Sequence, residues 1–164
     1  MLPENSLTGK LAMKNMRPDG SVFLVPLRNG GFARGVIAGS SRKNNLIVSY
    51  FFGPKYETEK NVDILGMSPE KAVISMRSSD IKINNGSWPV IGQLSNWNSD
   101  DWPTTKAVRR DPKGFSKPLL VTYDRADPFK IIGEEILDAD LNLPSSGEAG
   151  CGFVEIKLTD LLST

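Results

Sequence analysis

Cys151 is the single thiol of this 164-residue chain, and the chain contains no histidine. The commonest general base and the commonest metal ligand are therefore both absent, and Cys–His and Ser–His dyads are excluded. One cysteine cannot build a zinc site. Cys151 lies in GEAGCGF, where glycines would allow a thiolate to be exposed, yet no base is fixed beside it in sequence. A free cysteine in that setting most often behaves as a small buried hydrophobe. The adjacent acids Asp100-Asp101 and Glu134-Glu135 are the remaining acid/base candidates, but neighbouring carboxylates on a loop or helix are usually solvated. GSSRKN, Gly39 to Asn44, has too few glycines for a phosphate cradle. No catalytic residue, metal site or cofactor is expected, and the protein is expected to work by binding.

Two stretches carry the residue types of a binding surface. NWNSDDWPTT, Asn96 to Thr105, holds two tryptophans and two carboxylates where Pro103 and the polar run forbid a regular strand. Aromatic rings beside acids supply affinity and steering toward a basic cleft such as that of a nuclease. Trp97, Asp100, Asp101 and Trp102 are thus the expected partner contacts; the competing reading is that the two rings cover a sheet end. The acidic segment Glu134, Glu135, Asp138 and Asp140 is a second, weaker contribution. Charge is unevenly spread as well. Residues 1–56 carry eight basic against two acidic side chains, a net +6, whereas the whole chain is +1. The region from Glu134 onward has seven acids against Lys157 alone, a net −6. A basic half in which Arg28, Arg34, Arg42 and Lys43 accompany Phe32, Tyr50, Phe51 and Phe52 gives the alternative: a small β-barrel gripping single-stranded nucleic acid.

The elements that position these residues are mostly strands. The length is that of one compact domain, expected over residues 21–164, after a polar, poorly ordered lead-in of residues 1–20 closed by the turn MRPDG. SVFLVPL, GFARGVIAGS and LIVSYFF, joined by glycine- and asparagine-containing turns, make a three-stranded meander. That meander is the start of a curled antiparallel sheet or an SH3-like barrel. VDILGMSPEKA is a short turn-rich connection with Pro69 in a first helical turn. Two extended pieces follow, then KPLLVTYDR as a late strand. Cys151 to Ile156 reads as extended and Leu158 to Leu162 as a terminal helical turn. The expected class is mainly β, α+β with little helix, and no apolar run reaches the ~20 residues of a membrane helix. Within NNGSWPVIGQL, Asn84 to Leu94, Gly86 completes a turn, Pro89 holds Trp88 extended at the start of a strand, and Gly92 permits close backbone approach. Gly86, Trp88, Pro89 and Gly92 are the expected structural anchors, with the indole N–H in need of one acceptor.

These motifs carry a resemblance. GSVFLVPLRNGGFARGVI is similar to the amino-terminal segment of the immunity protein 26 family of bacterial polymorphic toxin systems, through Pro26, Leu27, Gly30 or Gly31, Phe32, Gly35 and Val36. Gly86, Trp88, Pro89, Val90, Ile91 and Gly92 resemble that family's later G-x-W-P-x-x-G block. VTYDRADP, Val121 to Pro128, is a third, looser match. The resemblance implies a cytoplasmic protein that binds a cognate toxin effector and blocks it.

Overall fold

The structure, a computed structural model, describes residues 18–41 and 43–163. Most of the expected lead-in, residues 1–17, lies outside the described residues. At its end, Gly20 donates its N–H to the Ile37 carbonyl at 2.7 Å, which ties it to the strand Phe32–Ser41.

The chain forms β1 (Ser21–Pro26), β2 (Phe32–Ser41), β3 (Leu46–Tyr56), β4 (Ile74–Ser79), the one-turn helix α1 (Ile81–Asn84), β5 (Val90–Gln93), β6 (Lys106–Arg109), β7 (Leu119–Tyr123), β8 (Ile131–Ile136), β9 (Glu148–Ala149) and helix α2 (Cys151–Leu162). The expected meander is present, with β1, β2, β3 and β4 pairing antiparallel in sequence order. The expected curl and barrel are not. One sheet is open, in the order β5-β1-β2-β3-β4-β9, and a second holds β6-β7-β8. Closure would need β5 to reach β4, and instead β5 ends one edge while the short parallel β9 ends the other. The physical reason is that both faces of the large sheet are already covered. Phe23, Val25, Ile37 and Phe51 pack beneath α1 and α2, and Val22, Val36, Tyr50 and Phe52 pack beneath the loops that follow β3 and β5. Strands buried on both faces read as unbroken apolar runs, as LIVSYFF does.

β3 also runs beyond Phe52. Its register passes from Arg34↔Phe52 to Phe32↔Tyr56, so residues 53–55 bulge outward before pairing resumes. The Arg34 guanidinium fills the bulge, bonding the carbonyls of Gly53 and Asp63 and lying over the rings of Phe52 and Tyr56.

The largest departure from the expected elements is α2, since Cys151–Ile156 is helical rather than extended. Its buried residues are Cys151, Val154, Glu155 and Leu158, the spacing of one helical face. A carboxylate on that face obscures the period. The Glu155 side chain is 8 % exposed and accepts from Trp88 Nε1 at 2.9 Å and Lys82 Nζ at 2.9 Å, with the Arg28 guanidinium 3.1 Å away. The acceptor that the Trp88 indole needs thus comes from the far end of the chain. Gly86, at φ +85°, shapes the turn before Trp88, and Gly92 sits where a Cβ would stand 2.9 Å from Ile64.

Arg77 joins the two sheets. Buried on β4, it donates to the carbonyls of Thr104 at 2.8 Å and Pro128 at 3.1 Å, and its guanidinium lies 3.8 Å from the centre of the Tyr123 ring.

Candidate partner-binding site

Cys151 sits on the buried face of α2, where its thiol donates to the Ser79 carbonyl at 3.5 Å. Burial pushes the thiol pKa up, against the neighbouring Lys82 amide and charge, so the thiolate is disfavoured. In the folded protein Cys151 is expected to react with a thiol reagent only after unfolding, and Cys151→Ser to leave the protein's biological effect intact. Rapid modification of the native chain, or loss of effect with folding unchanged, would contradict this. Among the described residues no group of three or more acidic, cysteine or histidine side chains is placed to hold a metal ion.

Of the basic and aromatic residues of the amino-terminal strands and turns, Phe32 stays partly exposed and Lys43 exposed, while most of the others described turn inward. Phe51 and Phe52 are 0 % and 2 % exposed, Tyr50 is buried, and Arg34 is bonded inward to carbonyls. Arg28 is held by Glu155. Arg42 lies outside the described residues.

The loop 93–102 is organised from within. Asn98 accepts from the Asp100 amide at 3.0 Å and so caps the short 3-10 turn Ser99–Asp101. Trp102 then turns inward and is only 5 % exposed. It meets Tyr50 edge-on at 5.2 Å and lies 5.4 Å from Trp97, while the Tyr50 hydroxyl donates to the Pro103 carbonyl at 2.5 Å. Burial raises the Tyr50 pKa, against the pull of the Arg77 charge, so this hydroxyl stays protonated and donates. Trp102 is accordingly the support on which the loop rests, while Trp97 beside it is partly exposed.

Loop 64–70 faces this loop across a cleft of about 530 Å³. Ile64, Met67, Leu94 and Trp97 line the cleft together with the polar side chains of Ser68, Gln93 and Asn96, Leu65 stands 79 % exposed, and the carboxylates of Glu70 and Asp101 lie along it. Hydrogen bonding to its own backbone amide holds the Glu70 carboxyl below the usual carboxylate range. Asp101 makes no ion pair among the described residues, whereas Asp100 is paired with Arg125. Leu65, Met67 and Glu70 were not expected from sequence as part of this site. Their only sequence signal is an apolar pair around a glycine in a polar connection.

The second acidic segment lies on another element. Glu134 and Glu135 are on β8, the edge of the smaller sheet, and Asp138 and Asp140 follow it. Glu134 pairs with Arg109 at 3.0 Å, Asp138 with Lys117 at 3.3 Å and Asp140 with Arg110 at 2.7 Å. Three of the four charges are therefore offset within the chain, and Glu135 is left exposed without an ion pair among the described residues.

No helix among the described residues is long and apolar enough to cross a membrane. No curated protein and no solved structure matches this sequence. A sequence profile for immunity protein 26 matches residues 18–118, which takes in β1 to β6 and the G-x-W-P-x-x-G block and stops before VTYDRADP. Covering more than half of the chain, that match shows that this protein belongs to the immunity protein 26 family.

Proposed function

We propose that this chain protects a cell by binding a cognate toxin, in the cytoplasm, through the cleft between loops 64–70 and 93–102. The observation that supports this reading is the cleft of mixed polar and apolar lining that carries Trp97, Asp101 and Glu70, in a chain that belongs to an immunity-protein family. Leu65 and the exposed part of Trp97 supply area to desolvate against the toxin, and the two carboxylates attract a basic surface. Asp100 contributes less, because Arg125 answers its charge, and Trp102 acts by holding the loop. Glu135, with the paired Glu134, Asp138 and Asp140, forms the weaker second contribution. Blocking by binding requires no nucleophile or base, in keeping with the residue inventory.

The test uses the full chain and its cognate toxin domain. Trp97→Ala combined with Asp101→Lys is expected to weaken binding by about 2 kcal/mol or more, roughly thirtyfold, and to abolish protection of toxin-expressing cells. Asp101→Lys alone is expected to slow association about tenfold at low salt and to flatten its salt dependence. Unchanged affinity, association rate and salt dependence would put the interface elsewhere.

A further inference from the structure

The large sheet is left incomplete along β4. β9 pairs only with Arg77 and Ser78, so the outer edge of Ile74, Ser75 and Met76 has no strand beside it among the described residues. The reason is the path of the chain before β9, which is drawn to the second sheet. Val108 of β6 donates to the Pro144 carbonyl at 2.8 Å, and its own carbonyl accepts from Ser146 at 3.0 Å. The two sheets therefore diverge, and a groove of about 1010 Å³ opens along the free part of β4.

The walls of that groove are largely apolar, and its charges without an ion pair among the described residues are two lysines against one carboxylate. Val73 is 44 % exposed and Phe153, on α2, is 57 % exposed, with Leu143 and Pro103 also lining the space. Lys106 and Lys157 stand in the lining and make no ion pair among the described residues. Arg110 is committed to Asp140 and to the carbonyls of Leu141 and Leu143. Glu148 stands where β9 begins and is the single acid in the lining.

We propose that this groove takes an extended, acidic segment of a partner protein, which adds to the free edge of β4 as a further strand. The outward N–H and carbonyl of Ser75 supply the pairing, as sheet edges do for added strands, since Ile74 and Met76 turn theirs to β3. Alternate aliphatic side chains of the segment pack between Val73 and Phe153, and its carboxylates meet Lys106 and Lys157. The same lysines discourage an uncharged apolar edge from pairing there, so charge selects the occupant. This site is separate from the cleft that holds Trp97 and Asp101, and it stands or falls without the toxin-binding reading.

The experiment pans a displayed library of random dodecapeptides against the full chain and measures the enriched peptide by fluorescence anisotropy. Enrichment of aliphatic residues alternating with Asp and Glu is expected, with binding that protects the outward amide of Ser75 from hydrogen exchange. Lys106→Glu with Lys157→Glu is expected to weaken that peptide by about tenfold or more, and a lysine-substituted peptide to recover binding on the charge-reversed chain. Phe153→Asp, at an exposed position, is a second variant with the same expected loss, and melting temperatures confirm that both variants fold. Trp97→Ala with Asp101→Lys is expected to leave peptide binding unchanged. Three results would each overturn the proposal: no acidic enrichment, equal binding to the charge-reversed chain, or protection of the Ser75 amide in the free protein through a dimer seen by sedimentation.

Discussion

Trp88→Ala is expected to destabilise the protein by about 3–5 kcal/mol, the cost of emptying a large aromatic site in a packed core. For a chain of this size that corresponds to a fall of about 10–15 °C in melting temperature. The side chain is 0 % exposed, lies parallel to Phe23 at 5.7 Å, and belongs to the cluster shared by β1, β3, α1 and α2. Phe23 in turn meets Phe51 edge-on at 5.9 Å, so loss of the indole loosens two strands and a helix together. Trp88→Phe retains most of the packing and loses the N–H that Glu155 accepts, so it should fall between the two. Differential scanning calorimetry of the three proteins checks the order; an alanine variant that melts like wild type would mean that the ring supports nothing. Because the residue is fully enclosed, any loss of partner binding should track loss of folded protein.

The second large effect is at Glu155, and it depends on pH. Burial alone would raise its carboxyl pKa, but hydrogen bonds from Lys82 and Trp88, with the Lys82 charge and a hydrogen bond from Arg28, outweigh it and hold the pKa below the ordinary 4.5. A carboxyl depressed on folding adds stability that is fully present above its unfolded value and is lost as pH falls through the folded one. Glu155→Gln removes that contribution while keeping an oxygen for the indole N–H. Its deficit against wild type should be largest at neutral pH and shrink as pH drops below about 4, where the wild-type carboxyl also becomes neutral. Glu155→Ala should cost about 1–3 kcal/mol beyond Gln, since the buried Trp88 N–H then lacks an acceptor. Denaturant titrations at neutral and acidic pH measure both. Parallel wild-type and Gln curves at all pH values would show that the carboxylate contributes nothing by its charge.

The loop 93–102 illustrates how far residues alone could be followed toward a site. Its irregularity follows from Pro103 and the polar run, and its aromatic and acidic content is plain. Which side chain faces outward depends on Tyr50 and Phe52, some fifty residues earlier, since Trp102 packs where those two rings leave room. Sequence treats the two tryptophans alike, whereas the structure buries one and leaves the other partly exposed. The acids divide similarly. Asp100 and Asp101 are neighbours, yet only Asp100 meets Arg125, which arrives from the turn between β7 and β8. Loop 64–70 escaped notice because exposed apolar residues have no period and acquire meaning only from the wall they face.

What the sequence by itself determined is local. The absence of histidine and the single cysteine removed most side-chain chemistry. Alternating and continuous apolar runs specified the strands of the meander, and Gly86, Pro89 and Gly92 fixed the turn and the extended backbone around Trp88 through conformational freedom or its loss. Tertiary structure decided whatever depends on partners distant along the chain. It left the large sheet open, because two covered faces remove the need for closure. It made Cys151–Leu162 a helix, because the face that looks polar at Glu155 is the face that meets Lys82, Arg28 and the Trp88 indole. A buried carboxylate is tolerated only where donors from elsewhere satisfy it, and a one-dimensional pattern of apolar residues carries no information about those donors.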